Sequence, residues 1–512
     1  VPGTREDGSV SDRFLKLWEI LDEVYTSFRR ELNNRGLCYA GMAYRDAVDA
    51  LRRAGAGDLP YRRYVFIGFN VLSTSEIAIF NRLKQLGVAD FYWDYNSPAM
   101  SIPHNKASRF IGRYVTQFTP IYDIGEEKIT ELPDIRIMAV PSNIGQVKEA
   151  GRLLASMVAD GRISDPDNAI DTAVVLPDEE LFIPLIDAIP ESIGDINITM
   201  GYPMRHTSVA ALISNIVSMQ LRARKIHGQT EFFHDDVLSV LSHPLVRAIG
   251  GDGCGALSRY MTEHRLYNLP SDIVTAHFPQ FAPVFAPVRD MQEAGAVFGY
   301  MHSLLNYIGD GAAEAGFSYI DRNYIARYVD ALDELERLTG IYGITMADTT
   351  FFHLLQRALA GETVSFEGEP LKGLQVMGVL ETRALDFDNV IMLSMNERIF
   401  PRRHFARSFI PDALRRGYGL STIEFQESIF AYYFYRLIAR AKRVYLFFDA
   451  RNSGLRSGEM SRYLYQLRYM FPTDSIRYYS GKYTVEPPVR RKIEVCKTPE
   501  VMHSLRRILD PE

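Results

Sequence analysis

Two short apolar runs separated by a charged turn constrain this chain more than any other feature. In GLQVMGVLETRALDFDNVIMLSMNERIFPR, residues 373–402, the stretches 375–380 and 389–395 have the length and apolar content of strands. The second, NVIMLSM, is apolar enough to be buried inside a sheet rather than to lie with one face in water. A sheet of that kind needs helices against it, so the expected class is α/β. The turn ETRALDFD then falls where a parallel sheet offers a ligand crevice.

At 512 residues the chain exceeds what one core organises, and roughly two to four domains are expected. A hydrophobic share of 47% with 23% charged residues excludes wholesale disorder. The formal charge of -6 excludes a surface positive all over, but not a local basic groove. Cys38, Cys254 and Cys496 are too widely spaced for a disulfide scaffold or a zinc site, which fits a reducing compartment. No stretch reads as a secretory signal or as an apolar run that spans a bilayer, so a cytoplasmic setting without membrane contact is expected. The chain begins at Val1 and stops at ILDPE, and is read as a piece of a longer polypeptide.

Residues 12–53 carry Phe14, Leu17, Trp18, Leu21, Val24, Tyr25 and Phe28 at helical spacing, then a break near Gly36 and a second helix. Residues 64–96 read as strand, helix and strand, the helix opened by Ser73 or Thr74 with Glu76 in the capping position. A second α/β pattern starts at 135, with strands near 135–140, 171–176 and INITMGYP and a helix over 146–158. From about 206 to 363 the sheet signal gives way to at least five amphipathic helices, and their histidines show no HExxH spacing, so no metal is assigned. Arg402, Arg403, His404, Arg407, Arg415 and Arg416 then form the densest positive loop, interleaved with Phe405, Phe409 and Tyr418. Cations with aromatics suit single-stranded nucleic acid, the charges meeting phosphates and the rings stacking on bases, although a solvated loop has the same composition.

The segment 373–402 resembles the motif of superfamily-one DNA helicases of the UvrD/RecB type, with Arg383, Ala384, Leu385, Asp386 and Phe387 on that family's Lys-Gly-Leu-Glu-Phe. NERIFPR resembles the corresponding tail of AddB-like helicase-nuclease subunits, and the Arg440-Ala441-Lys442 helix end before RVYLFFDA resembles the family's final motif. The resemblance implies RecA-like, P-loop NTPase-type parallel sheets with a helical insertion domain. It implies a helical segment over 1–60, a partial first RecA-like domain over 61–133 and a second over 134–205 and 364–470. The helical insertion would occupy 206–363, and 471–512 would lead to a nuclease domain of PD-(D/E)XK type outside the chain.

By the same resemblance Arg440, Asp386, Arg383 and Asp94 would face a nucleotide. Arg402, Arg403, Arg407, Phe405 and Tyr95 would meet single-stranded DNA, and an AddA-like helicase subunit would be the partner. The departures carry weight. Ile67, Gly68 and Phe69 stand where the family holds magnesium with Asp-Glu, Gly378 and Leu380 replace a threonine and a histidine, and Ala439 replaces a threonine. No G-x-x-x-x-G-K-[ST] loop occurs, so ATP and magnesium belong to the parent chain if anywhere, and hydrolysis is not expected of these residues. The implied role is a degenerate helicase region that guides single-stranded DNA to a nuclease in double-strand break repair. A non-catalytic scaffold and a motor completed by upstream residues stay open.

Overall fold

Thr172–Val175, Leu374–Met377 and Asn389–Met392 are buried at every position and lie side by side in a seven-stranded sheet. In the computed structural model the described residues are 8–512, except 96, 98–99, 101, 103–104, 124–131, 289–293, 318, 345, 360–362, 366–371, 403–409, 454–455, 472, 482–493 and 510–512. The parallel strands are β1 (Tyr64–Ile67), β2 (Ala89–Tyr92), β3 (Asp134–Val140), β4 (Thr172–Val175), β5 (Ile196–Ile198), β6 (Leu374–Met377), β7 (Asn389–Met392), β8 (Arg443–Asp449) and β9 (Ile476–Ser480). Across the large sheet the order is β9, β3, β8, β7, β4, β6, β5, with every neighbouring pair parallel. The protein is therefore α/β, as the buried run at 389–395 requires.

Strand alternation gives each face its own core. Met138, Val174, Val376, Ile391 and Phe447 point to one side, where helix α5 (Asn143–Ala159) and helix α6 (Phe182–Ala188) pack. Ile137, Val175, Met377, Met392 and Leu446 point to the other. That side is covered by helix α7 (Ile423–Ala439), helix α8 (Arg462–Met470) and the amino-terminal block.

The amino-terminal block holds helices α1 (Gly8–Asn34) and α2 (Ala40–Arg53), then β1, helix α3 (Thr74–Gln85), β2 and helix α4 (Ser108–Gln117). As the sequence suggests, Ser73 and Glu76 close a reciprocal cap, with Ser73 N donating to Glu76 Oε2 at 2.6 Å and Glu76 N to Ser73 Oγ at 3.2 Å. β1 and β2 form a separate two-stranded parallel sheet. Phe66, Phe80, Phe91 and Phe118 stack beneath it, continuous with the core of the large sheet's second face. Its other face shows Val65 and Ile67 to solvent, at 53% and 70% exposed.

Between β5 and β6 the chain makes its long excursion. Gly201–Pro203 pairs antiparallel with Thr363–Ser365, so the outgoing and returning segments are stitched together at the base. Gly201 is required there, since a Cβ would sit 2.7 Å from Thr363 Oγ1. The helices beyond include Ser208–Arg222, Ala294–Glu314 and Tyr319–Tyr342, and their core is continuous with the first face of the large sheet. Helices dominate as expected, but Arg224–Ile226, Gln229–Phe233 and Asn268–Pro270 add a small antiparallel sheet too short to announce itself in the sequence. The large sheet also continues past residue 470. β9 lies in 471–512, the stretch of short strand-like pieces expected to lead out toward a further domain, and pairs with β3 from Ile476↔Ile135 to Ser480↔Ala139. Its exposed edge position explains the missing apolar signature. Among the described residues no helix is long and apolar enough to cross a membrane.

Candidate functional site

Tyr432, Arg436 and Arg440 stand at successive four-residue steps at the end of α7, on one stripe of the helix. All three grip Asp94, two residues past the end of β2. The Tyr432 hydroxyl donates to the Asp94 carbonyl at 3.1 Å, and Arg436 Nε to Asp94 Oδ2 at 2.8 Å. Arg440 donates through both terminal nitrogens, Nη1 to Oδ2 at 2.9 Å and Nη2 to Oδ1 at 3.0 Å. This is the bidentate fork that guanidinium and carboxylate geometry favours. Asp386 completes the cluster, 2.9 Å from Arg436 Nη2 and 3.7 Å from Arg440 Nη1, and Arg436 also donates to the Leu385 carbonyl.

Burial orders these groups. Side-chain exposure rises from 7% at Arg436 through 18% at Asp94 and 29% at Arg440 to 51% at Asp386, so Arg436 and Asp94 form the desolvated centre. Burial pushes the Asp94 carboxyl up, but the hydrogen bonds and charges of Arg440 and Arg436 outweigh it and hold the group below the usual carboxylate range. For Tyr432 burial wins, and its hydroxyl is raised and stays protonated.

A second ionic chain lies toward the start of α7. Glu427 pairs with Lys106 of the amino-terminal block and with Arg462 Nη1 at 2.9 Å, and Arg462 reaches on to Glu397 through Nε at 3.1 Å. Burial raises Glu427, and the Lys106 and Arg462 charges lower it further than burial raises it. The amino-terminal block is thus pinned to α7 near both ends of that helix.

The Asp94 cluster sits at the amino-terminal edge of the large sheet. Asp386 precedes β7 by three residues and Arg440 precedes β8 by three. Lys442 N and Arg443 N both donate to the Asp388 carbonyl, at 2.9 and 3.0 Å, which fixes that edge. A connection between parallel strands must run the length of the sheet, so of the 378–388 link only residues 378–380, ahead of the charged turn, stand at the carboxyl edge. The Asp386 end of that turn does not, contrary to the placement expected of the whole turn.

At the carboxyl edge the chain leaves β4 through α6 on one face and β7 through α7 on the other, which makes the β4/β7 boundary a topological switch point. Ser394, with φ 54° and no exposure, follows β7 there, and its N–H donates to Gln146 Oε1 at 2.8 Å. Gln146 is itself fully buried. Asn396 binds the Asp449 carbonyl through Nδ2 at 2.9 Å and accepts from Asp449 N at 2.9 Å, tying the turn to the end of β8. Beyond β4, burial raises the Asp178 carboxyl despite the nearby charges of Arg402 and His206.

The structure therefore joins Asp94, Asp386 and Arg440 and leaves the other expected residues apart. Arg383 is exposed, and Arg402 is half-buried after the cis Phe400-Pro401 bond. Arg403, Phe405 and Arg407 lie outside the described residues. Tyr95 lines a recess of about 210 Å³ with Tyr92, Trp93, Val115, Pro120, Tyr122 and Asp123. Arg63 stands at its rim, its guanidinium 5.7 Å from the centre of the Tyr122 ring and 3.0 Å from the hydroxyl. The sequence analysis missed Tyr432, Arg436, Ser394 and Arg63. The i, i+4, i+8 spacing of Tyr432, Arg436 and Arg440 was the signal that could have found the first two.

The residues present do not fit a hydrolytic Mg-ATP site. At the carboxyl end of β1, Ile67, Gly68 and Phe69 offer no side-chain oxygen, and the nearest polar side chain, Asn70, is 7% exposed with its Oδ1 accepting from Val71 N. Arg440, expected to face a nucleotide, is forked onto Asp94. What the arrangement offers instead is a rigid ionic clamp and, beside it, an aromatic recess with a cation at its rim. No family's sequence profile matches the chain, and no curated protein matches it in sequence.

Proposed function

We propose that this chain is a RecA-like, degenerate helicase region of the AddB-like kind that holds single-stranded DNA without turning over ATP and passes it to a nuclease. The observation that carries the strand-holding role is the recess of Tyr92, Trp93, Tyr95 and Tyr122 beside Arg63. Flat aromatic faces accept any base, and a guanidinium at the rim meets the phosphate that follows it. The absence of turnover is supported by the neutralised Arg436 and Arg440 and by the carboxylate-free end of β1. The helicase and nuclease context rests on the likeness of motifs and on fold-level analogy: a parallel sheet, a helical excursion, a return through two buried strands and an arginine-ended helix.

The test is anisotropy of a fluorescein-labelled oligothymidine at several salt concentrations, with ATP turnover measured alongside. Expected are a linear fall of log affinity with log salt and a loss of about tenfold or more in Tyr95→Ala or Tyr122→Ala, since one stacked base contributes about 1–3 kcal/mol. Affinity that ignores salt, or that both substitutions leave intact, removes the strand-holding role. Turnover by the chain removes the degenerate-motor role.

A second reading is a scaffold that binds another protein. It is favoured by the apolar outer face of the β1–β2 pair and by Ile20, Val24 and Phe28 exposed on α1, because parallel strands ordinarily have both faces covered.

A further inference from the structure

In the helical excursion, far in sequence from the Asp94 cluster, two consecutive helices bring three metal-ligating groups to one point. His302, on Ala294–Glu314, places Nε2 2.9 Å from Glu336 Oε2 and 3.5 Å from Asp333 Oδ1, both on Tyr319–Tyr342. All three donor atoms lie within 4.8 Å of one another. Asp333 and Glu336 are three positions apart and so share a helix face. Among the described residues, the ion pairs formed by these two carboxylates are with His302 and not with any lysine or arginine.

We propose that His302, Asp333 and Glu336 form a binding site for a divalent first-row transition-metal ion, zinc being the physiological class, which ties the two helices together. Zinc bound by imidazole and carboxylate at about 2.0–2.2 Å in tetrahedral geometry sets neighbouring donors roughly 3.3–3.5 Å apart. The two distances from His302 bracket that edge from 2.9 to 3.5 Å, so a cation enters with side-chain adjustments of a few tenths of an ångström. One imidazole with two carboxylates is a mixed nitrogen and oxygen set, which suits zinc, cobalt or manganese better than a thiolate-seeking ion.

Access is open, with side-chain exposures of 29% at His302, 61% at Asp333 and 49% at Glu336, so the remaining coordination positions fall to water. That makes the site a staple between helices with exchangeable positions. A metal ion bound through His302 Nε2 occupies the position that now faces Glu336 Oε2, so it displaces the hydrogen bond in place there. The proposal does not depend on the DNA-handling function proposed above.

The full chain, stripped with chelator and titrated with cobalt(II) at pH 7.5, is the test, followed by competition with zinc(II). Expected are visible absorption that saturates at one equivalent and is displaced by zinc, and at least a tenfold loss of affinity in His302→Ala and in the Asp333→Asn, Glu336→Gln double variant. Both variants change exposed or half-exposed groups, and far-UV circular dichroism checks that they keep the native helix content. Absence of saturable binding, or binding that either folded variant retains at full strength, overturns the site.

Discussion

Asp94 and Arg436, 342 positions apart in the chain, meet at 2.8 Å with most of both side chains out of water. A buried pair of this kind contributes less than its Coulomb energy suggests, because each charge gave up its hydration. Its removal is a different matter. Asp94→Ala leaves the desolvated Arg436 with the half-exposed Asp386 and the Leu385 carbonyl as its partners, and is expected to lower unfolding free energy by up to about 3 kcal/mol. Urea denaturation of the purified chain reads this, and a change within error would show that water reaches the cluster freely.

The same clamp sets an acid limit. Asp94 and Glu427 both lie below their ordinary values of 3.8 and 4.5 in the folded chain. Groups lowered on folding stabilise fully above the unfolded value and lose that contribution as pH falls through the folded one. The contribution of both should be flat from neutrality to about pH 5 and should fall below about pH 4. Asp178 carries the opposite sign, since burial raises it and its contribution is lost as pH rises. Asp178→Asn, which still accepts the hydrogen bond now taken from Glu180 N, is therefore expected to raise the melting temperature at pH 7 and to flatten that rise toward pH 4.

Gln146 is expected to be intolerant of an apolar replacement of similar size. Gln146→Leu fills the space but leaves the buried Ser394 N–H without its acceptor, at a cost of about 1–3 kcal/mol. Gln146→Glu keeps an acceptor while placing a carboxylate where nothing is exposed, and should destabilise more at pH 7 than at pH 5. Thermal melts at the two pH values separate the variants.

Gly151 lets α5 and α6 approach to backbone contact. A Cβ at this position would lie 2.2 Å from the Ala188 carbonyl oxygen, so even Gly151→Ala must push α6 away. Overpacking of this kind costs about 1–3 kcal/mol, against the fraction of a kcal/mol that alanine ordinarily returns in a helix. A stabilised variant in calorimetry would show that α6 shifts freely.

The central strands were legible because residues buried on both faces leave no other assignment for runs such as NVIM. The Ser73 cap was legible because its two partners are three residues apart. Asp94, Asp386 and Arg440 could each be picked out as charges at element ends, but their mutual contact depends on α7 packing across the sheet, which no local pattern encodes. Arg436 was hidden for a related reason. It lies in a stretch where every residue from 431 to 439 is buried, so it read as one charge lost among aromatic neighbours. The carboxyl-edge turn was misjudged in detail because Gln146 looks like any polar residue near a helix start until Ser394 turns its N–H inward.

The antiparallel pairing of Gly201–Pro203 with Thr363–Ser365 gives the long excursion the topology of a hairpin loop, whatever lies at its tip. Severing the polypeptide there would leave the strand order of the large sheet unchanged. The apolar side chains of the excursion nevertheless merge with those beneath β4 and β6, so an excised version would expose oily surface on the remaining half. Connectivity makes this region a module, while packing makes it a wall of the same building.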